Sequence, residues 1–379
     1  MKPTEISDRN SNPLGDETRV ASFDIKHTQI IDHLGTPLGP LPEFAKNPDE
    51  LIKLYRAMVL TRLFDNKAIA LQRTGKMGTY ASSNGQEGVA VGMGSAMQPC
   101  DVFAPVYREY GTQFMRGVAM HEILLYWGGD ERGMNYAQQR QDFPISVPIA
   151  SQIPHAVGAA FAMKLRKEPR VSVGVLGDGA SSKGDFYEAL NIAGAWQLPV
   201  VIVIVNNQWA ISLPRHEQSH AATLAQKGIA AGVPAEQVDG NDVIAMRYVM
   251  ERALERARHG DGPTLIEALT YRMSDHTTAD DASRYRSPAE VEEQRKFDPI
   301  MRIKLHLTQH HQWNDEKEQA VQTECSAEIE QAVKIYLDTP PMPPESMFDH
   351  LYETLPAIYK EQRDEVIRLG DIGGGKNHD

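Results

Sequence analysis

Residues 171–207 read VSVGVLGDGASSKGDFYEALNIAGAWQLPVVIVIVNN, and their pattern decides the fold. Val171, Val173 and Val175 alternate into Leu176 as a strand does, and the chain then turns at Gly177-Asp178-Gly179. Phe186, Ala189, Leu190 and Ala193 share one face of a helix, which Leu198-Pro199 ends. Val200–Val205 is an unbroken β-branched run, suited to a parallel strand buried on both faces. Thr264–Tyr271, after the turn Gly260–Pro263, predicts a further strand. The alternation of strand and helix gives an α/β fold, a doubly wound parallel sheet with helices on both faces.

In such a sheet, ligands bind beyond the carboxyl ends of the strands. Asp178 stands where one predicted strand ends and Asn207 where the next ends, so the two side chains converge although a helix separates them in sequence. A carboxylate beside an amide oxygen is a hard-oxygen pair, suited to Mg²⁺ or Ca²⁺. Magnesium would take its remaining ligands from phosphate, backbone carbonyl and water. Gly177 and Gly179 let the backbone bend tightly and approach a phosphate closely, and the helix after Gly179 offers free N–H groups and the favourable end of its dipole. A lone Gly-Asp-Gly is usually a turn and Asn-Asn a loop; the specificity lies in finding each at a strand tip. A dinucleotide fingerprint fits poorly, because Ser182 stands where it needs Gly or Ala, and Asp178 where a small neutral residue is usual.

Working outward, residues 1–46 are polar and punctuated by Pro37, Gly39, Pro40 and Pro42, and predict a loosely attached arm. Asn47-Pro48-Asp49-Glu50 then starts a helix, with Asn47 as the cap and Pro48 in the first turn. The α/β domain is expected over 47–330 and a tail over 331–379. The tail contains an extended spacer, Thr339–Pro344, a short amphipathic helix within SMFDHLYETLP (346–356) that seeks a partner, and a frayed end, GDIGGGKNHD (370–379). His306, His310, His311 and Trp313 show no ligand spacing and read as helix surface.

Of 379 residues, 39 are Lys or Arg and 51 Asp or Glu, a net charge of −12, which argues against non-specific binding to nucleic acid or an anionic membrane, both of which need a basic surface. Cys100 and Cys325 are too few for a disulfide framework. No apolar run approaches the roughly 20 residues of a membrane span. Glu5, Asp8, Asp16 and Glu17 make the N-terminus too acidic for a transit peptide, and it lacks the apolar core of a secretory signal. The expectation is a bacterial cytoplasmic protein with neither nucleic acid nor membrane as partner.

The GDG…NN pair resembles the binding motif of thiamine diphosphate enzymes. With GQEG (85–88), VYREYG (106–111), VDGND (238–242), GPTLIEALTYR (262–272) and DHTTADDASRYR (275–286), the chain from about Pro48 to Leu355 resembles the α subunits of the thiamine diphosphate-dependent decarboxylating component of 2-oxo acid dehydrogenase complexes. The resemblance implies that Asp178 and Asn207 bind Mg²⁺ through their side chains and Trp209 through its carbonyl. It implies that Gly177, Gly179 and Ala180 lie along the diphosphate, which Tyr107 and Arg108 also hold. His276 and Arg272 would serve as catalytic groups at the diphosphate and the reacting centre. Val147 and Ile149, in Ser146–Ile149, would lie against the aminopyrimidine, with Ile211 packed beneath the cofactor.

The same resemblance implies oxidative decarboxylation of a small 2-oxo acid and reductive acylation of the lipoyl group of a transacylase. The activating glutamate is expected on a separate β subunit, in an α2β2 assembly, so that this chain alone is inactive. The contexts GDFYEALNIAG and YREYG look more like pyruvate-using α subunits, with a dihydrolipoamide acetyltransferase as acceptor. Branched-chain 2-oxo acids are the alternative, acetoin the third. A nicotinamide (NAD)-dependent dehydrogenase and a non-catalytic paralogue are the readings from other classes. Retention of Asp178, Asn207, Tyr107, Arg108 and His276 together argues against the paralogue.

Overall fold

β-branched runs build the centre of the molecule. The computed structural model describes residues 11–12, 15–16 and 18–373. Its main sheet has six strands: β1 His27–Thr28, β2 Val102–Ala104, β3 Ser172–Gly177, β4 Val200–Asn206, β5 Ala235–Asp239 and β6 Thr264–Leu269. They lie in the order β1-β5-β6-β4-β3-β2, every pair parallel. The helices used below are α1 Pro48–Arg73, α2 Glu87–Ala96, α3 Gln152–Arg166, α4 Gly184–Ala195, α5 Val243–Arg258, α6 Pro299–His310, α7 Asp315–Asp338 and α8 Ala357–Gly373.

The alternation of β4 sorts its side chains between two layers. Val200, Ile202 and Ile204 pack with Ile153, Phe186 and Leu190 of α3 and α4. Val201, Val203 and Val205 pack with Val89, Met246 and Met250 of α2 and α5. The sheet is therefore doubly wound, and each buried Val or Ile contributes about 1.5–3 kcal/mol. A third cluster joins α1 to α6 and α7 through Leu54, Met58, Phe64, Ile303, Leu307 and Ile329. The predicted start of α1 is observed, with Asn47 Oδ1 accepting from the Asp49 N–H at 3.0 Å. Among the described residues no helix is long and apolar enough to cross a membrane.

Several expectations are corrected. The arm is not loose from His27 onward. β1 pairs with β5, and the N–H groups of Ile30 and Ile31 both donate to Asp242 Oδ2 at 2.8 Å, while Oδ1 of the same carboxylate caps α5. His306 is buried rather than on a helix surface: its Nδ1 bonds the Gly35 carbonyl at 2.8 Å and so fastens this segment to α6. Trp313 is also buried, edge-on to Tyr55. The first helix after Gly179 is a 3-10 turn, Gly179–Ser182, and α4 begins only at Gly184.

In the tail, α7 runs unbroken across residue 330, so the chain leaves the body at Thr339. Residues 344–348 form a 3-10 turn, and the long helix comes later, at α8. Gly370–Gly373 belong to α8 instead of fraying. The first ten residues of the arm, and 374–379 of the expected frayed end, lie outside the described residues.

Candidate active site

Because all six strands are parallel, their carboxyl ends share one edge of the sheet. A cavity of about 260 Å³ opens there. The segment after β2 supplies Tyr107 and Arg108, the end of β3 supplies Gly177–Ala180, and the end of β4 supplies Asn207, Trp209 and Ile211. His276 enters from the loop after β6, and Ile149 from the segment before α3.

At the end of β3 the two glycines do different work. A Cβ on Gly177 would meet no atom within 4 Å beyond its chain neighbours, so the backbone there faces open space. A Cβ on Gly179 would stand 2.5 Å from Ala210 Cβ, so this glycine permits the close approach of the two strand-end loops. Asp178 between them is buried, and burial pushes its carboxyl above the usual range, opposed first by the Gln218 amide, which donates to Oδ2 at 2.8 Å. Among the described residues no Lys, Arg or His side chain is bonded to this carboxylate.

The loop after β4 is strained. Gln208 has φ +74° and the β-branched Ile211 φ +55°, left-handed values that cost about 1–3 kcal/mol each in a non-glycine residue. Ala150, next to Ile149, has φ +65°. Arg272 opposes that strain by donating to the Ile211 carbonyl at 2.8 Å and to the Tyr285 hydroxyl at 2.7 Å. The Trp209 indole N–H donates to Glu290 at 3.3 Å. Ile149 and Ile211 remain 40% and 56% exposed, apolar surface at a polar cleft.

Arg108 and Arg272 converge on one imidazole nitrogen: His276 Nδ1 accepts from Arg108 at 2.9 Å and from Arg272 at 3.3 Å. A guanidinium can only donate, so Nδ1 carries no proton and the Nε2–H tautomer is selected. Burial, then the two arginine charges, hold the ring's pKa down at about 3. Arg108 also donates to the carbonyls of Ser82 and His276, at 2.5 and 2.6 Å. Glu109 Oε2 accepts the N–H groups of Val106 and Arg108, fixing the turn that presents Arg108, and burial pushes its carboxyl up to about 7.

The cavity thus gathers Tyr107, Arg108, Ile149, Gly177–Ala180, Asn207, Trp209, Ile211 and His276. Two expected residues do not line it. Arg272 is 0% exposed and stands behind the lining, bonded to His276, the Ile211 carbonyl and the Tyr285 hydroxyl. Val147 is 50% exposed and outside the lining. Gln86, Val106, Glu109, Val205 and Ala210 also line the cavity and were not anticipated. Three of them sit inside segments singled out in the sequence, Gln86 in GQEG and Val106 and Glu109 in VYREYG, of which only Tyr107 and Arg108 were given roles.

Among the described residues no three His, Cys, Asp or Glu side chains are grouped to hold a metal ion. The lining at the strand tips includes the Asp178 carboxylate, the Asn207 amide and Trp209, whose carbonyl accepts from Arg272 at 3.5 Å, and oxygen donors of these kinds suit a hard cation that brings further oxygens with its ligand. A buried carboxylate to which, among the described residues, no basic side chain is bonded, and the open space before Gly177, fit a cation–phosphate group at this spot.

The family model described as "Dehydrogenase E1 component" matches residues 55–345. Similar curated proteins include the pyruvate dehydrogenase E1 component subunit alpha of Acholeplasma laidlawii, 44% identical over 323 residues, which cover 84% of this chain and 94% of that one. The 3-methyl-2-oxobutanoate dehydrogenase subunit alpha of Mycobacterium tuberculosis is 39% identical over 349 residues, covering 91% and 94%. A pyruvate dehydrogenase E1 component subunit alpha of Staphylococcus aureus is 37% identical over 337 residues, covering 88% and 90%.

Proposed function

Because the chain belongs to the dehydrogenase E1 component family, as an α subunit of a 2-oxo acid dehydrogenase, we propose that its strand-tip cavity holds Mg²⁺–thiamine diphosphate and that its substrate is pyruvate. The observation that carries the site assignment is the convergence of Asp178, Asn207 and Trp209 on one cavity with Gly177 facing open space. When bound, thiamine diphosphate supplies the electron sink for decarboxylation of a 2-oxo acid.

The chain's own residues bind and orient. The Asp178 carboxylate, the Asn207 amide oxygen and the Trp209 carbonyl would hold Mg²⁺, leaving its other positions to diphosphate oxygens and water. Gly177, Gly179 and Ala180 would border the diphosphate, and Tyr107 and the Arg108 guanidinium would bond its oxygens. His276 would present Nε2–H, a neutral donor at physiological pH, to the diphosphate or to an oxygen of the reacting centre. Arg272 keeps that ring and the Ile211 loop in place. Ile149 and Ile211 would cover apolar parts of the cofactor and exclude water.

Members of this family act in complexes with a β subunit and an acyltransferase. Our reading assigns the activating glutamate to the β subunit of an α2β2 assembly, and the acetyl group to a lipoyl-bearing dihydrolipoamide acetyltransferase. The tail from Thr339 is assigned to partner contact. A bacterial cytoplasmic location agrees with the bacterial origin of the relatives.

Pyruvate is favoured by the 44% identity to an α subunit named for it. A branched-chain 2-oxo acid is the second reading, favoured by the 39% match that spans more of this chain. Turnover of the assembled α and β subunits on pyruvate and on 3-methyl-2-oxobutanoate separates them. We expect kcat/KM to be at least tenfold higher for pyruvate; preference for the branched acid would overturn the assignment.

A further inference from the structure

The cavity wall contains a side chain that no part of the reading above uses. Gln86 caps α2 and is 4% exposed. Its backbone stands on a rigid base. Gly85, at φ +93°, would place a Cβ 2.3 Å from the Tyr271 carbonyl, so only glycine fits. The Gly85 carbonyl accepts from the Thr270 hydroxyl at 2.7 Å, and its N–H donates to the Glu87 carboxylate at 3.0 Å. That carboxylate is in turn paired with Arg62. The side chain of Gln86 is therefore delivered to the cavity from a fixed turn.

Its partner there is Asn207. The Trp209 N–H faces one end of the Asn207 amide at 3.2 Å, and because an N–H can only donate, that end is Oδ1. The other end is then the Nδ2 donor, and it meets Gln86 Oε1 at 3.2 Å. Gln86 is thus the acceptor that consumes Asn207 Nδ2 and leaves a lone pair of Oδ1 for a cation. Gln86 Nε2 itself is buried without a partner. A buried amide donor facing no acceptor is costly, and the residue that carries it lines the same cavity.

We propose that Gln86 is a positioning residue for the metal: it locks the Asn207 amide with its oxygen, not its nitrogen, available as the ligand atom. This rests on the Mg²⁺–thiamine diphosphate reading of the cavity. Groups that orient a metal ligand from behind usually matter by about 10–100-fold in metal affinity.

The test uses the assembled α–β enzyme, freed of metal and supplied with saturating thiamine diphosphate. Mn²⁺ binding is followed by electron paramagnetic resonance, and thermal unfolding of the metal-free samples is recorded in parallel. Gln86→Met, which has no acceptor, is expected to weaken Mn²⁺ binding at least tenfold without moving the metal-free melting temperature. Gln86→Glu, which keeps an acceptor at the same reach, is expected to stay within about threefold of the unsubstituted enzyme. If Gln86→Met does not assemble, Gln86→Ser, too short to reach Asn207, takes its place. Unchanged Mn²⁺ affinity in the Met or Ser variant, or equal weakening by Glu, overturns the role. Asp178→Ala serves as the reference. If it also binds Mn²⁺ normally, the metal reading itself fails; if it alone loses the metal, only the assignment to Gln86 falls.

Discussion

Two arginines facing one imidazole nitrogen leave His276 a single tautomer and very little basicity. The sign of the pH effect follows. The folded pKa, about 3, lies below the unfolded value of 6.5, so the fold favours the neutral ring. That contribution to stability is complete above pH 6.5 and is lost as the pH falls from 6.5 towards 3. His276→Asn places an uncharged acceptor where Nδ1 stands, and is expected to flatten the fall in urea midpoint of the cofactor-free enzyme between pH 7 and pH 5. Identical slopes in both proteins would show that the ring titrates normally. At this scale the sequence named most of the lining, because Asp178, Asn207, Arg108 and His276 carry distinctive chemistry in distinctive neighbourhoods. It did not reveal which groups stand behind others. Arg272 and His276 share a loop, and only the three-dimensional packing puts one of them out of reach of the cavity.

The turn after β3 separates binding from folding in the two glycines that flank Asp178. Gly177→Ala adds a methyl group that meets no neighbouring protein atom, so the melting temperature is expected to stay within about 2 °C while thiamine diphosphate affinity falls at least tenfold. Gly179→Ala drives a methyl group into Ala210 and is expected to lower the melting temperature as well. Calorimetry and thermal unfolding of the two variants check this; equal behaviour would mean that the cradle is wrongly placed. The strands β3, β4 and β6 were legible because buried parallel strands are dense in Val, Ile and Leu. β5, Ala-Glu-Gln-Val-Asp, and the two-residue β1 were not, since their polar residues carry no period and their pairing depends on neighbours far away in sequence. The helix expected directly after Gly179 began later because the chain first makes a 3-10 turn, which side-chain periodicity does not report.

On the scale of the whole molecule, the tail leaves the body at Thr339. Arg132 donates to the Pro340 carbonyl at 2.7 Å, Phe348 is buried, and α8 packs mainly on the turn Pro344–Phe348. Met347, Leu351, Tyr352 and Ile358 remain exposed, apolar surface that a partner can cover. Truncation after Asp338 is expected to leave the helical and strand content of residues 18–338 intact by circular dichroism, while weakening association with the β subunit in sedimentation. Loss of the fold on truncation would contradict this view of the tail. The amphipathic pattern announced such a surface, but it could not tell a 3-10 turn from a helix over so short a stretch. The central claim is that parallel strand tips gather a carboxylate, an amide oxygen and a carbonyl around one cation. Its most direct test is anomalous diffraction from crystals of the assembled enzyme grown with Mn²⁺ and thiamine diphosphate. The account predicts a Mn²⁺ peak in direct contact with Asp178, Asn207 and the Trp209 carbonyl; a peak elsewhere, or none in that cavity with the cofactor bound, would contradict it.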